Sequence, residues 1–98
     1  MIMVHDIFIC KPGNASKLAK MFKEAMAASN EFVNVLTDMS GQFNKVIMVS
    51  QYENLTEYEH NWEKYQKDTE AMKKMEKLME GYHELVVKGR REIYKLEG

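Results

Sequence analysis

The longest amphipathic pattern in the chain lies between Asn54 and Gly81. Its large apolar side chains recur at a spacing of three or four residues, which is typical of one face of an α-helix. Such a face must pack against another surface, and the strand-like runs on either side can supply one, so we predict a helix lying across a sheet. The members of this stripe are Tyr58, Trp62, Tyr65, Met72, Met75 and Met79.

The N-terminal run Ile2–Cys10 is rich in β-branched and aromatic residues, and the Pro12-Gly13 pair after it signals a turn, so this run predicts the first strand. Successive side chains of a strand point to opposite faces. Both faces of this strand are mainly apolar, although Asp6 stands on one and His5 on the other. We therefore expect both faces of the resulting sheet to be covered.

Turn signals divide the remainder of the chain. A first amphipathic helix is predicted with Asn14 as its cap and its end near Ser29 or Asn30. Gly41 can adopt positive φ in the short loop after the second strand, which indicates a hairpin. Gly89 lies inside the last strand, where it predicts a bulge or bend. The strands after the first are predicted over residues 32–38, 44–52 and 85–96, with the hairpin loop at 39–43.

The helical region that carries the stripe begins at Asn54, and Glu57 three residues later completes a capping-box pattern. An unbroken helix to Glu80 would be roughly 40 Å long, whereas a strand of about nine residues spans only roughly 30 Å. We therefore predict a break at residues 67–69, where two capping-type residues interrupt the stripe, and an end at Gly81 in a left-handed conformation.

The predicted order is strand, helix, strand, strand, helix, strand within a single domain covering residues 1–98. Short crossovers place both helices on one face of a four-stranded antiparallel sheet, which is the α+β, ferredoxin-like βαββαβ sandwich. The other face is apolar, and no segment remains to cover it. We therefore expect a second copy of the chain to pack there, sheet against sheet, in a symmetric homodimer.

Composition narrows the classes of partner and compartment. The formal net charge is −1 although 30% of the residues are charged, so no strong field would attract nucleic acid or a membrane surface. Cys10 is the only cysteine, and no apolar run approaches the roughly 18 residues of a membrane span, which predicts a cytoplasmic protein without disulfides. We interpret Cys10 as a small buried hydrophobe, with a reactive thiol as the alternative. The nine Met residues predict adaptable core packing rather than metal binding.

Nearly the whole chain resembles the dimeric α+β barrel superfamily and, within it, NIPSNAP-like proteins. The resemblance implies a barrel formed between two sheets, and a small-molecule cleft between each sheet and its helices. The superfamily includes cofactor-free monooxygenases, haem-degrading enzymes and many members without known activity. In NIPSNAP-like proteins the first strand usually carries an acidic residue and an Arg where Val4 and Asp6 stand here. The stretches that carry the resemblance are FICKPG at residues 8–13, TDMSGQF at 37–43, NLTEY at 54–58 and GRREIY at 89–94.

Asp6 and His5 are the two weak candidates for catalysis. Asp6 lies among apolar residues, where a carboxylate either acts as a general base in a cleft or pairs with a cation such as Arg90 or Arg91. His5 points to the other face of the strand, where a structural histidine in the dimer interface is the alternative to a catalytic one. Both alternatives stay open at this point.

Three aromatic residues of the stripe, Tyr58, Trp62 and Tyr65, are predicted to line a pocket for a flat ligand together with Asp6. The alternative is that the stripe packs as ordinary core. Haem-degrading relatives use an Asn, a Trp and an iron-ligating His, and the resemblance places that His within residues 71–75.

Residues 71–75 contain no His, although Met72 or Met75 could in principle ligate haem iron. We therefore predict neither a cofactor nor a metal site.

RNA-binding domains of the same topology stack bases on aromatic side chains of the inner strands. Residues 45–52, which form the corresponding strand here, are mainly aliphatic, so RNA binding is not expected.

The preferred hypothesis is a homodimer that binds a small apolar or aromatic molecule in the cleft between helices and sheet, with or without turnover. One alternative is a cofactor-independent monooxygenase, which needs mainly a pocket and a proton acceptor. The other is a structural or interaction module whose cleft is filled by its own side chains.

Overall fold

A computed structural model of the chain describes residues 1–41 and 43–97. Its four strands form one sheet in the order β2-β3-β1-β4, and each neighbouring pair is antiparallel. The helices lie against one side of this sheet, so the predicted ferredoxin-like α+β architecture is confirmed. The elements are β1 Ile2–Cys10, α1 Ala15–Met26, β2 Phe32–Thr37, β3 Lys45–Tyr52, α2 Leu55–Lys67, α3 Thr69–Leu78, α4 Tyr82–Leu85 and β4 Val86–Lys95.

The hydrophobic core lies between α1 and the two central strands of the sheet, near the C-terminal end of β1. Leu18 and Phe22 stand one helical turn apart on α1 and pack against Cys10 of β1 and Val46 of β3. Leu18 and Val46 are fully buried. Burying a side chain of this kind contributes about 1.5–3 kcal/mol, so α1 is anchored firmly to the sheet. Cys10 belongs to this core, and burial raises the pKa of its thiol, which keeps the thiol protonated.

The first helix differs from its prediction at both ends. Asn14 adopts a helical backbone conformation (φ −101°, ψ −4°), and among the described residues its side chain makes no capping hydrogen bond. A neighbouring contact secures the turn instead, because the Gly13 N–H donates to Asn44 Oδ1 at 3.1 Å. At the other end α1 stops at Met26 rather than near residues 29–30, because the Ser29 N–H donates to Met26 O in a tighter turn.

The predicted break in the second helical region is confirmed. Asp68 separates α2 from α3 with an extended backbone (φ −92°, ψ 90°), and its Oδ1 accepts the Ala71 N–H at 3.0 Å as the cap of α3. Asn54 caps α2 in the same way by accepting the Glu57 N–H at 2.9 Å. Gly81 has the expected left-handed conformation (φ +82°), but the short α4 that follows it was not predicted, since four residues carry no periodic signal.

The strands begin and end within one residue of the predicted boundaries. Gly41 has positive φ as predicted, whereas Gln42 of the predicted loop and the C-terminal Gly98 lie outside the described residues. Gly89 was predicted as a bulge or bend, but the irregularity in the pairing of β1 with β4 falls between Ile9 and Cys10. Gly89 lies opposite Phe8, where an added Cβ would come within 3.1 Å of the Phe8 ring, so the glycine provides room for that ring.

The two faces of the sheet differ in what covers them. The side beneath the helices, here called the cleft face, carries Val4, Asp6 and Ser50. The other side, here called the open face, carries His5 and Ile47 at its centre. Ile7 and Val49 on this face are buried within the chain itself, whereas Leu36 and Tyr94 near its edges are 44% and 48% exposed.

Within residues 1–41 and 43–97, no helix is both long and apolar enough to span a membrane.

Candidate functional site

An open cleft of about 530 Å³ lies between the cleft face of the sheet and the helices α2, α3 and α4. Its lining is mainly apolar and aromatic. The cleft exists because α2 and α3 stand away from the sheet: among the described residues, neither helix has a buried side chain. The stripe that sequence periodicity assigns to a helix face therefore borders open space, and Trp62 is 40% exposed. Representative lining residues are Phe8, Phe22, Met48, Trp62, Tyr65 and Met75.

An ion pair forms the polar floor of the cleft. Asp6 of β1 and Arg91 of β4 are directly opposite in the strand register, and the Arg91 Nε–H donates to Asp6 Oδ1 at 2.5 Å. Asp6 is the more buried partner, since its side chain is 12% exposed against 43% for Arg91. Of the two alternatives that the sequence left open for Asp6, the structure shows the paired carboxylate.

The charged state of Arg91 is supported by this pairing. Burial by itself disfavours the charged guanidinium, but the hydrogen bond and the negative charge of Asp6 more than compensate, so the pKa of Arg91 is raised. The nearby phenols of Tyr58 and Tyr52 act in the same direction. Arg91 therefore stays charged within a largely apolar lining.

Aromatic rings surround the exposed side of Arg91. Its Cζ lies 5.3 Å from the centre of the Trp62 ring and 5.9 Å from that of Tyr58, which is within the range of cation–π attraction. The rings of Tyr58, Trp62 and Tyr65 follow one another edge-to-face with centroids 6.5 Å apart. Tyr52 adds a fourth ring at 5.1 Å from Tyr58. Aromatic rings in contact favour this edge-to-face arrangement.

The structure brings together the four residues predicted to bind a ligand. Asp6, Tyr58, Trp62 and Tyr65 all line the cleft. His5, the other weak catalytic candidate, lies on the open face, where its ring packs edge-on against Tyr94 at 5.1 Å. His5 is therefore separated from the cleft by the thickness of the sheet.

Several lining residues were not selected from the sequence. Tyr52 is the most informative, because burial, followed by the charges of Glu31, Tyr58 and Asp6, raises the pKa of its phenol to about 12 against the opposing effect of Arg91. Its hydroxyl is thus protonated at neutral pH. Ser50 is 3% exposed in the same wall. Ser50 and Tyr52 are two positions apart on β3, so their side chains point to the same face of the sheet, and this spacing could have placed both in the cleft.

Glu76, Glu80 and His83 also line the cleft, and all three are exposed residues on or after α3. Glu76 affects its surroundings, since the pKa of Tyr65 is raised by burial and then by the charges of Glu76 and Asp68. Of the two Met residues considered for haem, Met75 lines the cleft. Over residues 1–41 and 43–97, no group of three His, Cys, Asp or Glu side chains could hold a metal ion.

Comparison with known proteins adds independent information. A family model described as NIPSNAP matches residues 6–96. A search of curated proteins finds no match. A NIPSNAP domain protein of uncharacterised function from Burkholderia xenovorans superposes with a TM-score of 0.78 at 11% identity, covering 99% of this chain and 95% of that one.

Two further solved structures are similar. A NIPSNAP family protein of unknown function from Agrobacterium tumefaciens gives a TM-score of 0.74 at 13% identity, covering 98% of this chain and 87% of the other. A protein from Deinococcus radiodurans, named as a candidate antibiotic biosynthesis monooxygenase, gives 0.61 at 14% identity, covering 100% and 94% of the two chains. At such identities these structural likenesses establish the fold.

Proposed function

The chain belongs to the NIPSNAP family, and from that premise we propose that it binds a small apolar or aromatic molecule in the cleft between its helices and its sheet. The observation that carries the proposal is the open, aromatic-lined cleft of about 530 Å³. Cavities of roughly 300–1,000 Å³ with an apolar lining and a few polar groups are typical of small-molecule sites. The four predicted ligand-binding residues, Asp6, Tyr58, Trp62 and Tyr65, are assigned to this site.

The same cleft argues against the purely structural alternative. A module without a ligand would fill this space with its own side chains, because protein interiors are close-packed and an empty volume forfeits dispersion contacts. Here the stripe residues leave the space open. The free energy lost by this arrangement is compensated when a ligand buries the exposed aromatic surface.

Turnover is the second candidate function, favoured by the fold shared with the candidate monooxygenase of Deinococcus radiodurans. Oxygenation without a cofactor needs a group that accepts a proton from the substrate. Asp6 is the available carboxylate in the floor of the cleft, and its Oδ1 accepts a hydrogen bond from the Arg91 Nε–H. Asp6 would act as a base only after Arg91 moves away, so binding without turnover is the simpler proposal.

We also propose that the protein is a homodimer joined through the open face and that it functions in the cytoplasm. Ile47 lies at the centre of this face and the partly exposed Leu36 near its edge. Pairing two such faces removes these apolar side chains from water.

The cytoplasmic proposal rests on Cys10, because a single buried thiol suits a reducing compartment.

Binding is tested by isothermal titration with para-phenylbenzamide, a flat and uncharged probe. Wild-type protein is expected to bind it with 1:1 stoichiometry per chain. Trp62→Ala, which removes a ring from the lining, is expected to weaken the affinity by tenfold or more. Leu55→Ala is the matched control, because Leu55 is an exposed residue of the same helix outside the cleft lining. Equal losses in the two variants would contradict this site.

A further inference from the structure

We infer that the cleft selects uncharged aromatic molecules that carry both a hydrogen-bond donor and an acceptor at one end, and that it discriminates against anions. This inference rests on the proposed function and adds a substrate class to it. Its physical basis is the set of charges that line the cleft and the depth at which each charge is buried.

The inner end of the cleft is electrically balanced. Asp6 and Arg91 neutralise each other at 2.5 Å, so neither supplies an unmatched charge to a ligand. A buried charge is expensive unless it is paired, and a charged ligand head would enter this end without a counter-ion. An uncharged head avoids this cost. The inner end therefore favours a neutral group.

The pair still offers hydrogen bonds. The guanidinium has five N–H donors, of which the Nε–H is engaged with Asp6, and the carboxylate has several acceptor positions. Ser50 and Tyr52 contribute hydroxyl groups that can donate or accept in the same region. A carboxamide, or a carbonyl beside a hydroxyl, matches this combination of donors and acceptors, whereas a carboxylate offers acceptors alone.

The full lining opposes anions. Three carboxylates, those of Asp6, Glu76 and Glu80, face a single guanidinium, which leaves the lining with a formal charge of −2 when His83 is neutral. An anionic ligand therefore meets repulsion from the cleft as a whole.

The aromatic walls determine the shape of the ligand. Trp62, Tyr58 and Tyr65 are held edge-to-face, so a planar ring system can stack on one of them while its polar head reaches Arg91. Met48 and Met75 supply adaptable surface around such a ring system. The combination of walls and floor fits a flat molecule with a single polar end.

The test uses three probes of nearly identical shape: para-phenylbenzamide, para-phenylbenzoate and para-phenylbenzamidine, which are neutral, anionic and cationic at neutral pH. Isothermal titration of the wild-type protein at low salt is expected to give the tightest binding for the amide and the weakest for the benzoate, with at least a tenfold difference between them. Tightest binding of either charged probe would overturn the inference while leaving the proposed function intact. Binding of none of the three would instead overturn the proposed function for this ligand class.

A variant pair shows whether the floor is responsible. Asp6→Asn leaves the guanidinium without its counter-charge, so the benzoate is expected to gain at least tenfold in affinity while the amide changes little. Glu76→Gln removes one carboxylate from the exposed rim and serves as the control, with a smaller gain that disappears at high salt. Equal gains in both variants would assign the discrimination to the general charge of the cleft and contradict a role of the inner pair. Circular dichroism checks that Asp6→Asn is folded. The comparison of the three probes on the wild-type protein does not depend on this variant.

Discussion

Asp6 and Arg91 face each other across β1 and β4, and the hydrogen bond between Arg91 Nε and Asp6 Oδ1 joins the two strands beneath the cleft. The pair ties a buried carboxylate to a side chain that is 43% exposed and reaches the aromatic walls. It therefore serves the stability of the sheet and the polarity of the cleft at the same time. Its contribution to each can be measured separately.

Arg91→Met is expected to lower the free energy of unfolding by about 1–3 kcal/mol, because it leaves the Asp6 carboxylate buried without a partner. This loss of stability is smaller than that expected for breaking a fully buried ion pair, because Arg91 is partly exposed. The double variant Asp6→Asn/Arg91→Met is expected to recover part of the loss, since the unpaired charge is gone. Urea unfolding followed by circular dichroism measures both.

Arg90→Met is the matched control for this series. Arg90 is the neighbouring residue, its side chain is 62% exposed, and it pairs with Glu92 on the open face. Exposed pairs contribute little, so a change within about 0.5 kcal/mol is expected. If Arg90→Met and Arg91→Met were equally destabilising, the special role of the inner pair would be refuted.

The raised pKa of the Tyr52 phenol predicts that the protein loses stability at alkaline pH. Its phenol has a pKa of about 12 in the folded protein, against an ordinary value of about 10, so above pH 10 the unfolded chain releases this proton more readily than the folded one. The free energy of unfolding should therefore fall as the pH rises from 10 to 12, and Tyr52→Phe should fall less steeply. Urea unfolding at pH 8, 10 and 11 compares the two proteins. Parallel pH dependences would contradict the raised pKa of Tyr52.

The helix caps predict unequal effects of three similar substitutions. Asn54→Ala and Asp68→Ala each remove a side chain that accepts a backbone N–H at a helix start, which costs about 1 kcal/mol. Asn14→Ala removes a side chain that makes no such bond among the described residues, so its cost is expected to be clearly smaller. Thermal unfolding of the three variants gives the ranking. A loss of stability for Asn14→Ala as large as that for Asp68→Ala would contradict the absence of a capping hydrogen bond from Asn14 among the described residues.

The homodimer predicts an effect confined to one face of the sheet. Light scattering on the peak from size-exclusion chromatography should give twice the mass of one 11.5 kDa chain for the wild type. Ile47→Lys places a charge at the centre of the open face and is expected to shift the protein to the mass of one chain. Leu55→Lys places the same charge on an exposed position of α2 and should leave the dimer unchanged. A wild-type peak with the mass of one chain would disprove the dimer.

The sequence by itself determined the order of the four strands and of the longer helices, and most of their ends. Asn54, Asp68 and Gly81 act on backbone groups within a few residues of themselves, so their effects are visible in the local pattern. The stripe from Tyr58 to Met79 likewise follows from helical periodicity alone. Asn14 shows the limit of this reasoning, because a capping residue type does not ensure a capping conformation.

Only the tertiary structure decided what these elements enclose. The choice of Arg91 rather than Arg90 for Asp6 depends on a strand register between residues 85 positions apart, and a shift of one residue would reverse the choice. The role of Gly89 depends in the same way on Phe8 lying opposite it. Whether the stripe forms core or the wall of a cleft depends on how far α2 and α3 stand from the sheet, and that distance is set by packing across the whole molecule.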